Sequence, residues 1–348
     1  MNLRHHLLAG QAIPAHPLAL DRTRRFSEKH QRALSRYYFA SGTGGVAVGV
    51  HSTQFEIRDP QHALFKPVLE LAAETIAAER RSTPRDFAMI AGVCGKTAQA
   101  VAEAELSRSL GYDAALVSMS AFRNESEAEI LAHVATVAKT IPVVGFYLQP
   151  AVGGRVFSYS FWRQFAEIPE VVAIKIAPFN RYQTTDVVRA VAAAGRADIA
   201  LYTGNDDTIV ADLLTPFTFG AAHQTVTRRI VGGLLGHWGV WTQAAVRLFQ
   251  EARQAIQQPQ IDASWLSRAN AVTDMNAALF DAAHHFHGCI PGILEVLRRQ
   301  GLVETVYCLN PAETLSPGQA EELTRVSAAY PDLTDDAFVA ANLERWLT

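Results

Sequence analysis

Lys175 stands in the middle of an apolar run, VVAIKIAPFN (171–180). An ammonium is costly to desolvate, and lysine is among the residues least often fully buried. The chain uses it sparingly: Lys29, Lys66, Lys96, Lys139 and Lys175 are the five lysines, so 26 of the 31 basic residues are arginine. None of the other four lies in such a run. In a dry setting the amine loses its proton more readily. A neutral amine can attack a ketone and form a Schiff base. The protonated imine is then an electron sink for making or breaking the neighbouring C–C bond. That chemistry needs a proton carrier. Tyr147, in PVVGFYLQ (142–149) just before Pro150, is the candidate. The plainer alternatives are a lysine that snorkels or pairs with a rim carboxylate, and a tyrosine that is simply packed.

Two such residues act together only if adjacent strands carry them. Short β-branched runs alternate with helical ones, which argues for βαβ units and a parallel sheet. The expected strands are 11–18, 45–50, 86–93, 114–119, 142–149, 171–177 and 198–204, with an eighth within FTFGAAHQTV (217–226). Helical spacing covers 97–111, 125–140, 158–168 and 184–195, with Gly111 as a C-cap and Ser158 and Thr185 as N-caps. Eight units close a TIM (β/α)8 barrel, whose catalytic positions lie at the C-terminal strand ends. Periodicity leaves an open doubly wound sheet as the alternative. The expected division is a barrel over 1–240, then the last barrel helix (241–258) and a helical C-terminal extension through 348 packed on the barrel.

Bulk properties narrow the partners. The net charge of −3 gives no reason to expect nucleic acid or an anionic membrane. No run reaches the roughly 18 apolar residues of a membrane span. The start, MNLRHHLLAGQAIPAHPLALD, lacks the h-region of a signal peptide. Cys94, Cys289 and Cys308 are too scattered for a disulfide framework. A reduced, cytoplasmic setting is expected.

PVVGFYLQP, followed by EIPEVVAIKIAP and IALYTGNDD, resembles the dihydrodipicolinate synthase / N-acetylneuraminate lyase family of class I aldolases. Tyr147 with Pro150 matches the family's Y-N-x-P-like motif on strand five. Lys175 matches the Schiff-base lysine of its G-[IV]-K motif. Gly204, Asn205, Asp206 and Asp207 match its G-D-[DE]-like turn, with Gly204 and Asn205 as substrate-binding candidates. IAGVCGKTAQAVAEAELSRSLGYDAALVSM is similar to the third and fourth units, and the resemblance spans roughly 11–240. It implies a TIM barrel, pyruvate or another 2-oxo acid with an aldehyde as substrates, no metal or other cofactor, and a homo-oligomer, dimer or tetramer.

The chain departs from that pattern in places. The family holds the substrate carboxylate with a G-[TS]-T-G-E-type loop. Here the loop reads GVHSTQFEIRD (49–59), so His51, Ser52 and Thr53 are the carboxylate-binding candidates. An ordinary ST-turn is the alternative. Val152 stands where dihydrodipicolinate synthases place an arginine, Phe122 where they place a tyrosine, and Ile176 where several subfamilies have a polar group. These argue against dihydrodipicolinate synthase itself and for a more apolar aldehyde.

Other features carry rival readings. HHFHGCIPG (284–292) gathers His284, His285, His287 and Cys289, potential zinc ligands on a helix end. The adjacent Asp206 and Asp207 could serve a metal-dependent lyase, which leaves Lys175 unexplained. SGTGG (41–45) lacks a Walker lysine and reads as a turn into strand two. A barrel that binds without reacting is the non-enzyme alternative.

Overall fold

The computed structural model describes residues 1–221 and 225–348. Its strands are β1 (Ala12–Pro14), β2 (Gly45–Val48), β3 (Ala88–Val93), β4 (Ala114–Val117), β5 (Val143–Leu148), β6 (Val171–Ala177), β7 (Ala200–Thr203), β8 (Pro216–Phe219), β9 (Val226–Arg229) and β10 (Gly232–Leu235). Eight of them form one parallel sheet in the order β1-β10-β7-β6-β5-β4-β3-β2. A parallel bridge between Ala15 and Ala47, with His16 N–H donating to the Ala47 carbonyl at 2.8 Å, joins β1 to β2 and closes a (β/α)8 barrel.

The eighth barrel strand is not where the sequence places it. β8 and β9 pair antiparallel as a hairpin apart from the barrel sheet. Residues 222–224 of the expected segment lie outside the described residues. The barrel strand is instead GGLL, β10. Its two glycines give it little β-strand signal, and packing demands them. A Cβ at Gly232 would sit 2.5 Å from the Gln11 carbonyl oxygen, and one at Gly233 would sit 2.6 Å from the Trp238 ring.

Side chains alternate along each strand. One set, including Ile13, Ala47, Ile90, Leu116, Phe146 and Leu234, packs inside the barrel. The other, including Val46, Met89, Val117, Tyr147, Ile174 and Ile176, packs between sheet and helices. The ring helices begin with α2 (Glu28–Ala40) and α3 (Phe65–Ser82), after the N-terminal turn α1 (Leu3–Leu8). They continue with α4 (Thr97–Ser109), α5 (Glu127–Ala138), α6 (Tyr159–Phe165), α7 (Arg181–Ala193), α8 (Ile209–Leu214) and α9 (Thr242–Ala255). Ser158 caps α6, accepting from Phe161 N–H at 3.0 Å. Thr185 is no cap: α7 starts earlier because Asn180 Oδ1 accepts from Tyr182 and Gln183 N–H at 3.0 and 3.2 Å.

The extension consists of α10 (Ser264–Phe280), α11 (Cys289–Arg299), α12 (Gln319–Ala329) and α13 (Asp336–Trp346). α10 stops at Phe280, where Asp281 turns left-handed with φ +58°. α13 returns to α2, where the Trp346 ring packs tilted against Tyr37 at 5.5 Å and Tyr37 donates to Asp335 at 2.7 Å.

Candidate active site

β6 presents Lys175 to the barrel interior near its C-terminal end. The side chain is 8% exposed, its stem buried and its amine open to a cavity at the strand ends. Gly204, in the turn after β7, makes room for that stem: a Cβ there would lie 2.6 Å from Lys175 Cε and 2.8 Å from Ala177 Cβ. The amine lies 4.6 Å from the Phe146 ring centre. Among the described residues it has no hydrogen bond and no carboxylate within ion-pairing distance. Burial lowers its pKa to about 8, and the nearby Asp206 charge opposes the shift. It is an amine whose neutral form is accessible near physiological pH.

The structure does not bring Tyr147 to this lysine. β5 and β6 start in register at Val143 and Val171, but the pairing then skips one residue on β6, so Val144 faces Ala173. This bulge moves every later pair by one. Lys175 is consequently opposite Phe146, and Tyr147 is opposite Ile176 on the outer face. The Tyr147 ring is fully buried near Trp162 and Phe157 (5.0 and 5.9 Å), and its oxygen accepts from Phe157 N–H at 3.3 Å. A phenol packed behind the strand cannot exchange protons with an imine in front of it.

The carboxylate-binding candidates divide. His51 and Ser52, in the short turn after β2, both line the cavity. Ser52 Oγ is buried without a hydrogen-bond partner. Such a hydroxyl is a donor awaiting an acceptor. Burial, then the Lys175 charge, lowers the His51 pKa to about 4, so its ring is neutral at pH 7. Thr53 is occupied elsewhere. Its hydroxyl donates to the His16 carbonyl at 2.6 Å and accepts from Gly49 and Val50 N–H at 2.9 and 3.2 Å. It shapes the turn and leaves no oxygen for substrate.

Val152 and Gly204 line the cavity as expected. Phe122 does not: its ring lies against His133 at 4.4 Å and beneath the Lys96 amine at 4.4 Å. Asn205 is a brace instead of a ligand. Its side chain donates to Thr184 and Asp212 at 3.0 and 2.9 Å and accepts from Phe179 N–H at 3.0 Å.

Sequence reasoning overlooks several cavity residues. Asp206, matched there to the family's turn and weighed as half of a metal pair but not as a catalytic candidate, is buried in the wall beside Lys175. Its Oδ1 accepts from His237 N–H at 3.0 Å. Burial raises its pKa to about 7, and the Lys175 charge opposes that rise. Asp207 does not line the cavity, and no group of three His, Cys, Asp or Glu among the described residues is placed to hold a metal ion. The mouth is covered by the extension. Phe280, Phe286, Cys289 and Ile293 line it, and Phe286 meets Phe179 edge to face at 5.8 Å. From the histidine-rich run it is thus Phe286 and Cys289 that reach the cavity, while His284, His285 and His287 are exposed. The alternation of β5 carries the signal for Phe146, and the others depend on tertiary packing alone.

A model of the dihydrodipicolinate synthetase family matches residues 12–329. The dihydrodipicolinate synthase of Oceanobacillus iheyensis superposes with a TM-score of 0.74 at 17% identity, over 95% of this chain and 99% of that one. N-acetylneuraminate lyase of Fusobacterium nucleatum gives 0.71 at 17%, over 93% and 99%. The dihydrodipicolinate synthase of Acinetobacter baumannii, complexed with pyruvate, gives 0.73 at 18%, over 93% and 99%. At such identities the likeness shows the fold. No curated protein matches the sequence.

Proposed function

This chain belongs to the dihydrodipicolinate synthetase family, a family of Schiff-base lyases, and we propose that Lys175 is the imine-forming amine of a class I lyase acting on pyruvate or another 2-oxo acid. The observation that carries the reading is the buried, unpaired amine at the C-terminal end of β6, facing the cavity with its pKa lowered to about 8. The neutral amine attacks the 2-oxo carbon, water leaves, and the protonated imine accepts the electron pair of the bond that breaks. The Ser52 hydroxyl, with no partner in the protein, donates to the substrate carboxylate, and the neutral His51 ring borders the same end. Phe146, Leu148, Val152, Phe179 and Phe286 leave the far wall apolar, which favours an apolar or aromatic aldehyde as the second substrate. This reading gives Tyr147, Thr53, Phe122 and Asn205 structural work. It implies a cytoplasmic homo-oligomer, dimer or tetramer, in keeping with three unpaired cysteines.

Imine formation replaces the carbonyl oxygen with nitrogen, and hydrolysis restores it from water. The protein is therefore expected to exchange the ketone oxygen of pyruvate with ¹⁸O-labelled water faster than uncatalysed hydration does, and Lys175→Ala to fall back to that uncatalysed rate. A Lys175→Ala protein that exchanges at the original rate ends the proposal. A lyase that only polarised the carbonyl through a metal has no such requirement.

A further inference from the structure

We propose that Asp206 is the proton carrier of this chemistry, in the role that a phenol on β5 was expected to fill. The proposal rests on Lys175 being the imine-forming amine. The inner β5 position opposite Lys175 is Phe146, which has no proton to give, and Tyr147 lies behind the strand. Asp206 shares the cavity wall with Lys175. The lysine stem crosses Gly204, and Asp206 follows two residues later in the same turn. His237 N–H fixes its Oδ1, while Oδ2 makes no hydrogen bond to any described residue. The carboxyl is thus held at one oxygen and free at the other.

The remaining polar groups around Lys175 and Asp206 suit the role less well. His51 is a neutral ring whose pKa near 4 makes it a weak base. Asp207 influences Asp206 electrostatically but lies off the cavity, as does the His237 ring, which contacts Asn276. Burial pushes the Cys289 thiol far above its usual range.

Each step balances. With one proton shared between them, Lys175 and Asp206 can stand as amine and carboxylic acid. The amine nitrogen bonds to the 2-oxo carbon as the carbonyl π pair moves to oxygen. That oxygen takes the Asp206 proton, and the carboxylate recovers one from the new N–H. Asp206 then protonates the departing hydroxyl, water leaves, and the protonated imine remains beside a carboxylate. The carboxylate removes a C3 proton to give the enamine. In the cleavage direction it removes the C4 hydroxyl proton instead, the C3–C4 electrons flow into the imine, and the aldehyde departs.

The pair also fixes the pH dependence. The two groups titrate together, with Asp206 at about 7 and Lys175 at about 8. Below that range both hold protons and the amine is not nucleophilic. Above it the acid is gone. The rate of imine formation should therefore be bell-shaped, with limbs near those values.

The test follows C3 proton–deuterium exchange of pyruvate by NMR, with borohydride trapping of Lys175 in parallel. Asp206→Asn is expected to slow exchange by about 10²- to 10⁴-fold, still to form the trapped adduct slowly, and to lose the alkaline limb of the trapping profile. Tyr147→Phe is expected to exchange as fast as the parent. Trapping on Lys175 together with unchanged exchange in Asp206→Asn overturns this proposal and leaves the Schiff-base reading intact. Absence of trapping in the parent protein overturns both. If Asp206→Asn does not fold, a folded Tyr147→Phe with exchange slowed more than tenfold overturns the proposal by itself.

Discussion

Two adjacent hydroxyls, Ser52 and Thr53, are put to different uses, and substitution separates them. Thr53 satisfies the buried Gly49 and Val50 N–H groups and the His16 carbonyl. Thr53→Val strands two buried donors, so it is expected to lower stability by about 1–3 kcal/mol. Ser52 Oγ has no partner to lose. Ser52→Ala is expected to leave stability within about 0.5 kcal/mol of the parent. It removes the hydrogen bond proposed to the substrate carboxylate, so KM for the 2-oxo acid should rise roughly 10- to 100-fold. Urea unfolding and steady-state kinetics on both variants check the assignment. An unstable Ser52→Ala with unchanged KM would reverse it. The sequence shows that hydroxyls occupy this loop but not which one faces the substrate, because a one-residue shift of the loop exchanges their places.

At the scale of elements, most barrel strands and ring helices are legible because the β-branched runs and the helical spacing agree. The failures have local causes. The strand VVAIKIA is read correctly at 171–177, but a single bulge on β6 turns Tyr147 outward and Phe146 inward. Nothing in residue type announces that extra residue. β10 is hidden by the glycines that close packing requires, and the hairpin before it has the stronger strand signal. The α10–α11 turn is equally illegible, since helical spacing runs on past Phe280. It depends on Asp281, which accepts from Gly288 N–H at 2.9 Å, Ser316 Oγ at 2.5 Å and His284 Nδ1 at 2.6 Å. Asp281→Ala removes all three bonds. It is expected to speed amide hydrogen exchange across 281–289, the segment that seats Phe286 over the cavity, while the barrel strands stay protected. Unchanged protection in that segment would show that the turn is held by other contacts.

Across the whole molecule, the barrel supplies the lysine and the extension supplies the roof. Neither makes the site alone, because the apolar wall that dries the amine includes Phe280, Phe286 and Ile293 from beyond the last barrel helix. No helix of the described residues is long and apolar enough to cross a membrane. The burial that lowers the Lys175 pKa is unfavourable for the ammonium. Between pH 8 and 10.5 the unfolded chain holds a proton that the native lysine has released, so the stability penalty of burying this group is full below about pH 8 and is relieved as pH rises through that window. A lysine at such a position under neutral conditions is best explained by the reaction proposed for its amine. The most direct measurement is mass spectrometry with peptide mapping after borohydride reduction in the presence of pyruvate. The account predicts one pyruvate-derived adduct, on Lys175, and none in Lys175→Ala. Folded protein that yields no adduct on Lys175 with pyruvate or with larger 2-oxo acids contradicts it.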